Sequence, residues 1–370
     1  MAGQLGMAYG RDPLWKGARH KKTLPSRPPP VIYNSVAGLK AKLSALGLGT
    51  WVFGGGKWWG EQKDDVSKAV MAAAVTAGVN LFDTAPFYGF GHSEKLTGEF
   101  IAERQIRKKS IISTKLGLDP DAPGFHNLKR DRMKKEIEES LSRLGTDYID
   151  IYHIHWPDPA VPVEESAKTM RGFYEEGLIR SVGVSNYSVA EMRRFMDVCP
   201  LHFLQPPYSM FNRSIEKELL PFCVKNGVSV LAYSPLHGGM LTGKFFREGY
   251  SPPRDLRRKG MKDLREPYYS VEKDAFVKTE KLADGCGISP AAFALAWLMS
   301  RKGVASVLMG ARNTAQMEEN LKSVEAIPDK AVLSQADKIL NQMSADLTDI
   351  DNCGTPSYFI KSADEQKSFD

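Results

Sequence analysis

In the stretch Val79-Asn80-Leu81-Phe82-Asp83-Thr84-Ala85-Pro86-Phe87-Tyr88, a short apolar run ends in a carboxylate and a proline-containing turn then delivers a tyrosine. Three later apolar runs also end in polar or reactive groups: Lys115, His155 and Ser185-Asn186. A phenol ordinarily titrates at about pH 10. A neighbouring ammonium favours the phenolate, so Tyr88 beside Lys115 would give or take a proton near neutrality. A lysine at a buried strand end needs a counter-charge, which Asp83 supplies. His155 could orient a carbonyl oxygen or share its proton. These four groups suit the interconversion of C=O and CH–OH, but they bring no reductant. Singly, each has a plainer explanation: an inter-strand ion pair, a packed tyrosine, a core histidine. Their joint placement on one rim is what points to chemistry. His153 and His155 share a strand face and invite a zinc reading with Asp83. No HExxH or cysteine set accompanies them, and Lys115 would be a competing cation, so no metal is expected.

A rim of this kind requires strands whose ends converge. Eight short β-rich runs occupy residues 43–50, 79–83, 110–115, 148–155, 179–185, 202–205, 228–233 and 304–309. Helical patterns alternate with them; in residues 64–77, for example, Val66, Ala69, Val70, Ala73, Ala74 and Ala77 fall near one face before Gly78 stops the helix. Strands apolar on both faces are those of a buried parallel sheet. Eight units favour an α/β fold of the (β/α)8 TIM-barrel type, whose strand C-termini carry the chemistry. An open dinucleotide-binding sheet would want GxGxxG after its first strand, and LGLGTW lacks that spacing. Residues 32–42, with Gly38, predict a small N-terminal hairpin. Gly54-Gly55-Gly56, Trp58, Trp59 and Gly60 form an aromatic-flanked loop, expected to be flexible. Residues 236–269, after the seventh strand, are poorly periodic and predict a lid or excursion. A final helix is expected over 330–343, followed by a mostly irregular C-terminal extension, 344–370.

The chain of 370 residues is 42% apolar and 25% charged, with a formal charge of +6, a globular composition with no dense basic groove for nucleic acid. Four cysteines, Cys199, Cys223, Cys286 and Cys353, form no CxxC, so a reducing, cytoplasmic setting is expected. No run is long enough to span a membrane. Residues 1–30 are basic and end in three prolines, which predicts a disordered extension before one barrel domain over 31–343. Oligomeric state is left open.

The ordered motifs ALGLGTW (45–51), FDTAPFYGFGHSE (82–94), STKLG (113–117), DYIDIYHIHWPDP (147–159), GLIRSVGVSN (177–186), LQPPYSMFNR (204–213), AYSPLHGGMLTGK (232–244) and GARNTAQMEEN (310–320) resemble the aldo-keto reductase superfamily. Within it they look like the bacterial-type stress-protein, or iolS-like, reductases. The resemblance implies a (β/α)8 barrel that passes hydride between nicotinamide C4 and a carbonyl carbon. Its catalytic four fall on Asp83, Tyr88, Lys115 and His155, with Tyr88 as general acid in reduction and Lys115, paired with Asp83, lowering its pKa.

The hydroxyl and amides of Ser185, Asn186 and Gln205 suit a nicotinamide carboxamide, and Tyr233 offers a flat face resembling the family tyrosine that stacks on the ring. Gly238, Gly239, Leu241, Gly243 and Lys244 look like the loop that folds over the pyrophosphate. Gly310, Arg312, Gln316, Glu319 and Asn320 resemble the adenosine site, with Arg312 the partner for a 2′-phosphate. Gly49, Thr50, Trp51, Asp83, Ser234, Pro235 and Leu236 complete the implied cofactor contacts. NADPH/NADP+ is expected. Many relatives carry lysine and serine where Gly310 and Ala311 stand, which leaves NADH/NAD+ possible.

Trp51, Phe53, Trp58, Trp59, Phe87, Trp156 and the excursion are expected to wall the pocket, with Tyr88 and His155 at its base and Tyr358 or Phe359 closing it. The partner expected is a small carbonyl or alcohol. Oxidation of a sugar or polyol is the first rival reading; a cofactor-binding regulatory subunit is the second.

Overall fold

The computed structural model describes residues 31–250, 261–325 and 327–350. The basic segment 1–30, residues 251–260 of the excursion, and the tail beyond 350 with Tyr358 and Phe359 lie outside the described residues.

An antiparallel pair, β1 (Tyr33–Asn34) and β2 (Leu43–Ser44), precedes the barrel. The barrel strands are β3 (Leu46–Gly49), β4 (Leu81–Asp83), β5 (Ile111–Leu116), β6 (Ile149–Ile154), β7 (Ile179–Ser185), β8 (Phe203–Gln205), β9 (Ser229–Ala232) and β10 (Val304–Met309). They close in the order β10-β3-β4-β5-β6-β7-β8-β9, all parallel. The fold is thus a (β/α)8 barrel with the expected hairpin. Most strand ends shift by a residue or two, and the first run is cut, because Leu43–Ser44 turns back to pair with β1 and only Leu46–Gly49 enters the barrel.

Side chains of a strand alternate between faces. Phe82, Ile112, Tyr152, Val182, Val184 and Leu204 point outward and pack in the core under the helices. Leu81, Ile111, Ile151, Phe203 and Leu231 point inward and fill the lower barrel. Two residues further along the same inner face come Asp83, Ser113, His153, Gln205 and Tyr233, and two further again Lys115 and His155. The period of two therefore puts a greasy floor and a polar rim on one lumen.

The helices are α1 (Gly56–Trp59), α2 (Asp64–Thr76), α3 (His92–Glu103), α4 (Arg130–Leu144), α5 (Val163–Glu175), α6 (Val189–Met196), α7 (Leu219–Asn226), α8 (Tyr268–Gly285), α9 (Pro290–Met299), α10 (Thr314–Leu321) and α11 (Lys330–Ile350). Among the described residues no single helix is long and apolar enough to cross a membrane. The apolar α9 is core: residues 292–298 are each at most 1% exposed.

Three expectations need correction. Helix α11 does not stop at Met343, because Ala336, Leu340, Met343 and Leu347 continue one buried stripe. The glycine-tryptophan segment is not open loop: it forms a 3₁₀ turn, Trp51–Gly54, and the single turn α1. The excursion after β9 is anchored rather than loose; Met240, Leu241, Phe245, Phe246 and Met261 are buried, and the Phe246 ring lies 5.1 Å from that of Phe276 on α8.

Candidate active site

Lys115, the fifth residue of β5, is fully buried, and its ammonium has three acceptors. It donates to Asp83 Oδ1 at 2.7 Å, to the Thr84 carbonyl at 2.8 Å and to Tyr88 Oη at 3.2 Å. Three donors meet three acceptors, which is what an ammonium taken out of water requires. Asp83 is held from the other side as well: its Oδ2 accepts from Ser113 Oγ at 2.7 Å and Gln205 Nε2 at 2.8 Å. Ser113 precedes Lys115 by two residues on the same strand face, so the strand that brings the lysine also brings a clamp for its counter-ion. Because Tyr88 Oη accepts from Lys115, the phenol's own hydrogen is left for another oxygen.

Backbone contact fixes where Tyr88 sits. The loops after β3 and β4 touch at glycines: a Cβ on Gly54 would stand 2.5 Å from Gly89 N, and one on Gly89 would stand 2.5 Å from Gly54 O. Trp51 stacks on the Tyr88 ring at 5.8 Å, and Trp59 meets Trp51 edge-on at 5.2 Å. The His155 ring lies edge-on to Tyr88 with centroids 6.1 Å apart. Trp51, Tyr88, His155 and Trp156 are all half-buried. Phe53 is not a pocket wall; it is fully buried in the core. Phe87 packs edge-on against Phe90 and Phe125. The side chain of Trp58 lies outside the described residues.

A second polar set converges at the ends of β7, β8 and β9. Ser185 Oγ donates to the Gln205 carbonyl at 2.7 Å. Asn186, in the left-handed region at φ 61°, donates to the His155 carbonyl and Ser185 Oγ, each at 3.0 Å. Its Oδ1 accepts from Tyr233 Oη at 2.9 Å. Beyond β9, Ser234, Gly238, Gly239 and Gly243 all have positive φ, and Pro235, Leu241 and Gly243 are buried. Lys244 lies over this loop: a Cβ on Gly239 would be 3.3 Å from Lys244 Cε.

At the end of β10, Arg312 Nη2 donates to the Glu61 carbonyl at 2.9 Å. Its backbone N–H donates to Gln316 Oε1, also at 2.9 Å. Asn313 caps α10 by accepting from Gln316 N. Space beside Gly310 is open.

A sequence model described as the Aldo/keto reductase family matches residues 45–341. The chain belongs to the aldo/keto reductase family. The aldo-keto reductase YhdN of Bacillus subtilis (strain 168) is 41% identical over 288 residues, 77% of this chain and 86% of that protein. The NADH-specific methylglyoxal reductase of Escherichia coli (strain K12) is 33% identical over 297 residues, 76% of this chain and 90% of that protein. The solved structure of the glycerol dehydrogenase AKR11B4 from Gluconobacter oxydans matches with a TM-score of 0.77 at 37% identity, covering 84% of this chain and 95% of that one. As an aldo-keto reductase, the chain is an NAD(P)H-dependent oxidoreductase.

Electrostatics in the reductase depart from the expected acidic phenol. Burial raises the Tyr88 pKa above the ordinary tyrosine value; the Lys115 charge and hydrogen bond oppose this without overcoming it. Burial alone would lower Lys115, but the charges of Asp83 and Tyr88 outweigh it and its pKa is raised. Burial takes His155 well below the usual histidine range, with Lys115 and His153 adding to the effect. His153 is pushed down to about 3, first by burial. The aldo-keto reductase rim at neutral pH thus holds a protonated phenol, an ammonium and neutral imidazoles. His153 and His155 do not gather with Asp83 into a ligand set; the described donors within 4.8 Å of one another are His237, Asp263 and Glu272, in the excursion and α8.

Several of the expected cofactor residues also hold neighbouring elements together. Thr50 is buried and donates through both N–H and Oγ1 to the Asp83 carbonyl, each at 2.9 Å, bracing β3 on β4 beside Gly49. Asn320 is buried and donates to the Gly310 carbonyl at 3.1 Å, and Glu319 pairs with Lys322. Thr84 and Ser113, which hold Lys115 and Asp83, were missed in the sequence. Ser113 alone left a signal, its i−2 spacing from Lys115.

Proposed function

We propose that this reductase converts small aldehydes or ketones to alcohols with NADPH, Tyr88 giving the proton. The observation that carries the reading is the bond from Lys115 Nζ to Tyr88 Oη, with Asp83 behind the lysine. Tyr88 donates its free hydrogen to the substrate oxygen. Lys115 then stabilises the phenolate that is left, through a hydrogen bond already in place. Neutral His155 donates a ring N–H to the same oxygen and orients it. A reduced nicotinamide, when bound, supplies the hydride that these side chains lack.

Residues suited to hold that dinucleotide surround the rim. Ser185, Asn186 and Gln205 offer amide and hydroxyl partners, and Tyr233 offers a flat face. The positive-φ glycines with Lys244 suit a pyrophosphate, and Arg312 beside the capped start of α10 suits a 2′-phosphate. NADH use is compatible with Gly310. Trp51, Trp59 and Trp156 give the pocket apolar walls.

Changing Tyr88 to Phe should cut turnover by about 100-fold or more while nucleotide affinity stays near wild type. Normal turnover in that variant, followed by nicotinamide absorbance, would falsify Tyr88 as proton donor. A second reading, oxidation of a polyol or sugar with NAD(P)+, is favoured by the similarity to a protein named as a glycerol dehydrogenase. The same residues would run it in reverse. Initial rates in both directions, with both nucleotides, decide between the two readings.

A further inference from the structure

The loop that carries the pocket tryptophans is tied to the arginine at the far end of the proposed cofactor site. Gln62 Nε2 donates to the Arg312 carbonyl at 3.1 Å and to Ser67 Oγ at 3.2 Å. In return, Arg312 Nη2 donates to the carbonyl of Glu61 at 2.9 Å. The two segments are 250 residues apart in sequence, and they meet because β10 closes the barrel against β3. Gln62 therefore joins three elements: the loop after β3, the first turn of α2 through Ser67, and the segment leading into α10.

We propose that Gln62 is a positioning residue that sets discrimination between NADPH and NADH. The inference rests on the reading that Arg312 meets the 2′-phosphate. A guanidinium has five donors in a rigid plane, and the Glu61 carbonyl occupies one of them, leaving donors for a phosphate. The Gln62 amide holds the Arg312 backbone, and Gln316 fixes the Arg312 N–H, so the side chain starts from an anchored root. Ordering done before the ligand arrives is not charged against binding. NADH lacks the 2′-phosphate and gains nothing from this ordering.

The experiment titrates NADPH and NADH against the full-length wild type, Gln62→Ala and Arg312→Ala, following intrinsic fluorescence. The expected result for Gln62→Ala is NADPH affinity weaker by about three- to tenfold, with NADH affinity unchanged. Equal weakening for both nucleotides would make Gln62 a general loop support and overturn the proposal. Unchanged or tighter NADPH binding would overturn it too, the latter by showing that Glu61 competes with the phosphate. Arg312→Ala separates the two levels. If it removes the NADPH preference while Gln62→Ala does not, only this inference fails. If it leaves the preference intact, the 2′-phosphate reading fails and takes the inference with it.

Discussion

Lys115 has no spare donor: its three hydrogens reach Asp83, Thr84 and Tyr88. Changing it to Met removes the hydrogen bond that would stabilise the Tyr88 phenolate and strips Asp83 of its counter-ion. Turnover should fall by about 100-fold or more. Stability should fall by about 3–5 kcal/mol, the usual cost of orphaning a buried partner, at the lower end because Ser113 and Gln205 still donate to the carboxylate. Arg should not rescue, since a planar fork cannot meet three acceptors placed around one nitrogen. The pH profile is also set at this scale. With Tyr88 raised and His155 well below its usual range, neither group changes charge near neutrality. For reduction, kcat/KM should stay level through neutral pH and fall only once the phenol ionises, above about pH 10. A limb at about pH 6.5 would show that His155 titrates and would break the neutral-imidazole account.

The strands deliver these residues by alternation, which makes the inner face intolerant of change. Gly183 on β7 faces His153 on β6, and an added Cβ would stand 2.2 Å from Nδ1. Gly183→Ala should cost about 1–3 kcal/mol in urea unfolding through overpacking. Helix α4 carries a different load. Its Glu136 is 1% exposed and accepts from Gly117 N at 3.0 Å. Burial pushes its pKa up to about 7 from a model-compound value of 4.5, against the pull of that N–H and of Arg132. The folded state therefore holds this proton more tightly than the unfolded chain. Stability falls as pH rises from about 4.5 to about 7 and then levels, a loss of about 3 kcal/mol. Glu136→Gln keeps an acceptor for Gly117 without the charge. Relative to wild type, it should gain more stability at about pH 8 than at about pH 5; equal shifts at both would show that Glu136 does not titrate between them.

The barrel and the Asp83–Lys115–Tyr88 cluster could be read from the sequence because Asp83 and Lys115 lie at strand ends and the turn after Asp83 carries Tyr88, so local order already implies the rim. Contacts set by register or closure could not. Gln205 reaches Asp83 across the lumen, and Gln62 reaches Arg312 only where β10 meets β3. Phe53 looked like a pocket wall because composition does not say which way a ring turns. Tyr88 looked acidic because desolvation is invisible until burial is known. Helix α11 shows the same limit, since it lies outside the eightfold alternation and its duty appears only in three dimensions. Its Asp337 accepts from Trp297 Nε1 and from Arg301 Nη1, each at 2.9 Å. Trp297 is fully buried in α9, with the Arg301 guanidinium 4.0 Å over its ring. Asp337→Ala would leave a buried indole N–H without its acceptor, at a cost of about 1–3 kcal/mol. The same change should leave kcat/KM untouched below the unfolding transition, because among the described residues the hydrogen bonds of Asp337 run to α9 and Arg301 and not to the rim. Urea midpoints and kinetics on one sample test this directly; a folded Asp337→Ala variant with impaired turnover would mean that α11 is coupled to the site after all.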